Sequence, residues 1–594
     1  MKPISYFSLL LSLLFFANSC HKATQKTTSE HSKEIFLKDL ELLQNQLKND
    51  FLPLATHSNN IDSLQKVFID CRNNYKKIEH ITEYFMPSAS VLVNGPPLNE
   101  IELEENKVFA PSGFQVIEPF IFPVIDSENR KELVMEVKKL IQELKKYKQL
   151  ETVEFSENQI FDAIRLQIFR INTLGISGFD TPLCQTFITE ANTSLKSMRR
   201  YIKPNIEANE SKSKEIIQIW NSCEAYLSTQ KTTENFDYLA FVKKYSNNLS
   251  RTLVEFQEKI VIPELIETRP LRVTAKTLFD KDIFDVNFYA PNADSYVTDE
   301  RVALGRKLFY DQTLTSSNRS CGSCHQAEKA FTDSKTKALA ISGSQIQRNT
   351  PTLTYAALQN AQFYDLRVNN LEAQAFDVVL NKDEMHGSFD EAIKKIMIDD
   401  AYLKAFKTAY PLVKEITQVE IQNALASFTR SLIPFNSRFD KFMRNENTQL
   451  TEKEKQGFNL FMGKGKCGIC HFMPVFNGTA PPSFTHTDSE VIGVFESTKS
   501  KKLDKDLGRG KLNPFEDWLY AFKTPTLRNI GKTAPYMHNG AYKTLDDVID
   551  FYNNGGAVGM GIDLPNQTLA SDKLNLTETE KKSLISFLQT LSDE

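Results

Sequence analysis

Two segments of this chain, Cys321-Gly-Ser-Cys324-His325 and Cys467-Gly-Ile-Cys470-His471, have residue types and spacing that can do chemistry directly. Two thiols two residues apart, followed at once by an imidazole, can add across the vinyl groups of a haem and ligate its iron from one side. A zinc reading needs four ligands at finger-like spacing, and the two segments are too distant in sequence to supply that. With eight cysteines and nine histidines in 594 residues, chance does not supply the same pattern twice. Two covalently attached c-type haems are therefore expected, one on Cys321, Cys324 and His325 and one on Cys467, Cys470 and His471. Two haems alone do not separate an electron carrier from an enzyme. An enzyme needs one iron with an open face and catalytic groups over it.

The elements that hold these segments follow from length and patterning. A chain of 594 residues is too long for one core, so two to four domains are expected. Hydrophobic residues at 41% and charged residues at 25% describe an ordinary globular protein, and a net charge of −4 gives no reason to expect nucleic acid. Apolar residues recur near a 3.6-residue period over 34–52, 131–150, 158–174 and 236–256, with Pro97, Pro111, Pro119 and Pro182 as breaks. This predicts a helical bundle over 34–268. A linker is expected over 269–297. Beyond it, short helices joined by long loops suit a core filled by a large cofactor, with domains over 298–445 and 446–594. The fold class is mainly α: a helical bundle followed by two cytochrome c-like haem domains.

The first residues carry an address. Lys2, the apolar stretch from Ile4 to Phe16 and the small residues before Cys20 describe a secretory signal over 1–19. Ala17-Asn18-Ser19-Cys20 looks like a lipobox, so Cys20 is expected to carry the lipid, with 20–33 as a tether. The chain would then sit on the periplasmic side of a bacterial membrane, held only by that anchor. Cys71, Cys184 and Cys223 remain; a Cys184–Cys223 bridge and buried free thiols are both open.

The surroundings of the haem segments resemble the bacterial di-haem cytochrome c peroxidase and MauG family. The resemblance rests on Leu304-Gly-Arg-Lys-Leu-Phe-Tyr-Asp311, Phe331-Thr-Asp, Arg348-Asn-Thr-Pro-Thr352, Phe363-Tyr-Asp-Leu-Arg367, Leu371-Glu-Ala-Gln374 and Glu384-Met385. It continues through Phe522-Lys-Thr-Pro-Thr-Leu-Arg-Asn529, Thr533-Ala-Pro-Tyr-Met-His-Asn-Gly540 and Phe551-Tyr-Asn-Asn-Gly-Gly556, so that it covers about 295–594. It implies a peroxidatic first haem, fed with electrons by the second. Glu384 then corresponds to the distal acid–base residue and Gln374 to its neighbour; a carboxylate that moves a proton between the two peroxide oxygens contributes about 10²–10⁴-fold. Tyr364 stands where the family commonly has a tryptophan between the haems, as a redox stepping stone if its proton has an acceptor. A calcium ion is also implied, on the side chain of Asn349 and the backbone oxygens of Thr533 and Pro535.

Two departures from the family pattern carry chemistry. Between Gln326 and Asp383 there is no histidine, and His386 comes only after Glu384-Met385. Classical members use a histidine there to block the first iron until the second haem is reduced, so a five-coordinate first iron is expected in the oxidised state. Tyr552 occupies the position from which MauG-like members ligate the second iron; Met537 or Met560 is the alternative. A phenolate favours higher oxidation states, whereas methionine raises the potential. In the first half, Gly113-Phe-Gln115-Val-Ile-Glu118 is similar to the GxHxxE signature of imelysin-like helical proteins, with Gln115 in place of histidine.

Three functions follow. The first is reduction of hydrogen peroxide to water at the first haem, with electrons from a small periplasmic donor such as a cytochrome. The second is MauG-like oxidation of a protein or small molecule through a high-valent di-haem state. The third is electron carriage alone, or a haem- or iron-binding lipoprotein. The family tends to dimerise, which adds a second copy to the expected partners.

Overall fold

A computed structural model describes residues 27–102, 107–125, 128–230 and 232–594. The signal segment and Cys20 lie outside the described residues. Among the described residues no helix is long and apolar enough to cross a membrane.

The first helix runs over Thr28–Gln46, so the segment expected as tether up to residue 33 is helical from Thr28 onward. The local reason is a capping box: the Thr27 hydroxyl accepts from the Glu30 amide at 3.2 Å while the Glu30 carboxylate accepts from the Thr27 amide at 2.9 Å. Helices Ile61–Lys76, Arg130–Lys146, Glu157–Arg170, Phe187–Tyr201, Glu210–Thr229 and Asn247–Lys259 build the rest of the bundle. A buried ionic network ties four parts of it together. Arg72 pairs with Glu190 at 2.7 Å, Lys76 with Asp180 at 2.6 Å, and Arg170 with Asp180 at 2.6 Å. Such a network is costly to desolvate and specifies one arrangement only because its members satisfy each other.

Gln115 and Glu118 lie at a short helix, Phe114–Ile117, and both engage backbone. Gln115 Nε2 donates to the Asn94 carbonyl at 2.7 Å, and Glu118 Oε1 accepts from the Cys184 amide at 2.7 Å. Cys71, Cys184 and Cys223 are free thiols, with no Cys184–Cys223 bridge.

The two haem-segment units repeat one device. Helix Asp299–Tyr310 crosses Gln418–Arg430, and helix Glu452–Met462 crosses Glu578–Gln589. Each crossing passes over a glycine: a Cβ on Gly305 would stand 1.8 Å from the Ala424 carbonyl oxygen, and one on Gly457 would stand 2.1 Å from that of Ser583. Only glycine permits that approach. The close crossing sets Phe309 against Phe428 with centroids 5.0 Å apart, and Phe461 against Phe587 at 5.4 Å.

The first of these units has a core of its own, around Leu308, Ile396, Phe406 and Ile421. The second shares one continuous core with the bundle. Leu239 donates its amide to Asn459 Oδ1 at 2.9 Å, and Phe179 meets Phe472 at 6.1 Å beside the second haem segment. The 269–297 segment, whose one helical turn is Ala293–Ser295, packs into this shared core through Phe279 and Phe284.

Arg528, fully buried, anchors the second unit. It forks onto Asp440 at 2.7 and 2.8 Å and donates to the Pro474 carbonyl. Arg528→Met leaves the Asp440 carboxylate buried and unpaired, so we expect a loss of about 3–5 kcal/mol. Denaturant unfolding measures it, and Arg528→Met combined with Asp440→Asn is expected to recover part of the loss; equal destabilisation of the double variant would contradict this account.

Candidate functional site

Each Cys-x-x-Cys-His segment opens on a cavity. The first, of about 580 Å³, is lined by Cys321, Cys324, His325, Gln374 and Glu384, a size suited to a small-molecule or cofactor site. The second, of about 260 Å³, is lined by Cys467, Cys470, His471, Tyr552 and Met537. Tyr364 and Asn349 line both, so they form part of a common wall.

The two histidines are prepared as iron ligands. His325 Nδ1 stands 2.9 Å from the Phe331 carbonyl, and His471 Nδ1 stands 3.1 Å from that of Pro525 and 3.2 Å from that of Phe476. A carbonyl only accepts, so Nδ1 carries the proton and Nε2 keeps its lone pair for metal. Burial lowers both imidazoles, His471 to about 4, which keeps them neutral. Burial raises the Cys321 and Cys467 thiols to about 12, the opposite of the depressed thiols of redox-active pairs. Among the described residues no three or more His, Cys, Asp or Glu side chains converge on a point as a zinc site requires. Paired thiols, a tautomer-fixed imidazole and an adjoining cavity fit a haem attached through thioethers.

The other expected site residues fall around these cavities. Gln374 is carried by helix Leu371–Leu380, and its side-chain amide has no hydrogen bond among the described residues. Glu384 follows the turn that ends this helix. Asn381 Nδ2 donates to Glu384 Oε1 at 2.9 Å, while Oε2 has no partner among the described residues. Burial raises the Glu384 carboxyl above its ordinary range, aided by Asp377 and Asp383 and opposed by Arg367. No histidine besides His325 lines the first cavity; Met385 does, within the core of that unit.

The Tyr364 hydroxyl donates to Asn349 Oδ1 at 3.4 Å, and burial raises the phenol. Thr533 and Pro535 line the second cavity with Asn349, and among the described residues no backbone amide donates to their carbonyls. Tyr552, on helix Leu545–Asn553, faces the second cavity without a hydrogen-bond partner among the described residues, and burial raises its phenol. Met560 is not among the residues lining that cavity, whereas Met537 is.

Residue types and order did not single out three contributors. Arg348 bridges Asp365 at 2.7 Å and Asp506 at 2.6 Å, and so joins the two units beside the common wall. Asn381 orients Glu384, and Lys523 lines the second cavity. A signal existed for Asn381 alone, as an Asn three residues before a Glu in a turn.

Comparison with known proteins points to one family. The family described as di-haem cytochrome c peroxidase matches residues 299–448. The chain is 32% identical over 301 residues to the methylamine utilization protein MauG of Methylorubrum extorquens, covering 50% of this chain and 80% of that protein. It is 30% identical over 294 residues to the cytochrome c551 peroxidase of Nitrosomonas europaea, covering 49% of this chain and 79% of that protein. A solved MauG-like protein associated with microbial copper homeostasis shares 28% identity, with 56% of this chain and 95% of that one covered and a TM-score of 0.45. Fold and site define a di-haem protein with haem c as its cofactor. The chain belongs to the di-haem cytochrome c peroxidase and MauG family, and is a haem peroxidase enzyme.

If each segment holds its own haem, Cys321→Ala with Cys324→Ala leaves one covalent haem per chain, and so does Cys467→Ala with Cys470→Ala. Pyridine haemochrome absorbance per chain measures this. Two haems retained in either variant would contradict the assignment.

Proposed function

We propose that this protein reduces hydrogen peroxide to water in the cavity of His325, with electrons from a small periplasmic cytochrome relayed through the cavity of His471. The observation that carries the reading is the free Oε2 of Glu384 in a cavity where His325 is the one histidine. Haem bound there supplies an iron that takes peroxide and accepts electrons. The chain's own residues do the rest. Glu384 takes the proton from one peroxide oxygen and returns it to the other, while Asn381 holds its second oxygen still. Gln374, its amide uncommitted, orients the bound peroxide.

Tyr364 lies on the wall of both cavities, and its hydroxyl donates a hydrogen bond to Asn349 Oδ1, the oxygen that calcium would also take. Calcium at Asn349, Thr533 and Pro535 would take oxygens that have little or no other partner, as a hard cation requires. Attachment through Cys20 to the periplasmic side of a membrane completes the reading and fits the export that c-type haem requires.

A second reading, MauG-like oxidation of a protein or small molecule, is favoured by Tyr552. Its phenol has no hydrogen-bond partner among the described residues and faces the second cavity, where ligation as phenolate would stabilise a higher oxidation state of the second iron.

Glu384→Gln tests the first reading. It should lower peroxide turnover about 10²–10⁴-fold while both haems stay attached. Because burial raises Glu384, its proton-accepting form accumulates only above the ordinary carboxylate range. Wild-type turnover should therefore rise with pH through a midpoint above that range, and the variant should lose this limb. Unchanged turnover and an unchanged pH profile would remove Glu384 from the mechanism.

A further inference from the structure

Lys523 lies on a two-residue strand, Phe522–Lys523, paired with Ser489–Glu490. Its backbone amide donates to the Tyr364 carbonyl at 2.7 Å, which fixes it on the wall between the cavities. Its side chain lines the second cavity. Among the described residues Nζ has no ion pair within 4.0 Å and no hydrogen bond, an unusual state for a half-buried ammonium facing a cavity. The carboxylate whose charge acts on it, Asp365, is already taken by Arg348 at 2.7 Å and Arg367 at 3.0 Å. Lys523 is half-buried, and burial lowers its ammonium to about 8, opposed by Asp365.

The acid of the same cavity does not answer this charge. Glu490 accepts a hydrogen bond from the Thr568 hydroxyl, and burial raises its carboxyl to about 7. A half-buried cation without a partner is disfavoured unless an anion joins it. The haem of this family carries two carboxylates of its own, and Cys467, Cys470 and His471, which line this cavity, would hold it there.

We propose that Lys523 binds a propionate of the second haem and thereby raises that haem's affinity for an electron. The charge argument also accounts for its position. A propionate pair, together with a phenolate from Tyr552 if that residue ligates, makes the second cavity strongly anionic; among the described residues Lys466 and Lys523 line it without an ion pair, and Lys523 is the one whose ammonium burial lowers and whose backbone is held on the wall shared with the first cavity. The proposal stands on the presence of haem in this cavity and is independent of which substrate the first cavity turns over.

The test is a potentiometric titration of the full chain with both haems attached. Removing a cation beside the haem favours the ferric over the ferrous form, so Lys523→Met should lower the potential of the second haem. We expect at least a tenfold change in its reduction equilibrium, 59 mV for one electron. Lys523→Arg, which keeps the charge, should retain most of the wild-type value. If Lys523→Met does not accumulate, Lys523→Gln replaces it with the same expectation. An unchanged potential in the uncharged variant overturns the proposal. An equal fall in Lys523→Arg overturns it as well, since packing rather than charge would then be responsible. Because the readout is a potential, it succeeds or fails separately from peroxide turnover in Glu384→Gln.

Discussion

An imidazole presents one nitrogen to a metal reliably only when its other nitrogen is committed elsewhere. His325 commits Nδ1 to the Phe331 carbonyl, and His471 commits Nδ1 to those of Phe476 and Pro525. Everything downstream depends on that commitment. It decides which nitrogen faces the cavity, hence the side from which iron is held and the face left for chemistry. The carbonyls involved come from loops rather than helices, and Phe331 has a left-handed φ of 58°. A loop can aim a carbonyl inward where a helix would have spent it on its own ladder.

The helices serve this arrangement by crossing closely. Gly305 and Gly457 let one helix of each pair sit almost on the backbone of the other, and the aromatic rings around each crossing form a rigid floor beneath the loops. Arg348 then joins the two units across Asp365 and Asp506, beside Tyr364 and Asn349 on the wall that both cavities share. The bundle is part of this frame rather than an appendage, because its core runs without interruption into the unit around Phe458 and Phe587. Rearrangement of the second haem's surroundings is therefore resisted from two sides, which suits a site that is assembled before any electron arrives.

Much of this was legible in the residues alone. The paired cysteines with their histidines, the periodic helices of the first half and the order of motifs through Glu384 and Phe551-Tyr-Asn-Asn-Gly-Gly556 are local patterns, and local patterns survive in sequence. The start of the first helix was missed by six residues because Thr27 and Glu30 cap it within a polar stretch that reads as tether. The shared core of bundle and second haem unit could not be read, since alternating apolar faces do not say which face meets which. Lys523 sits within the Phe522-Lys-Thr-Pro-Thr-Leu-Arg-Asn529 motif, but its distinction is the lack of a partner, and groups such as Asp365 that act on it lie far away in sequence. Asn381 stood nearer to being read, three residues before the carboxylate it holds.

The central claim is a first iron with an open face, and electron paramagnetic resonance of the oxidised, as-isolated protein addresses it most directly. The account predicts one high-spin ferric signal from the His325 site beside one low-spin signal from the His471 site. Two low-spin signals would mean that an internal ligand caps the first iron, and the chain would then be a conductor of electrons rather than a peroxidase.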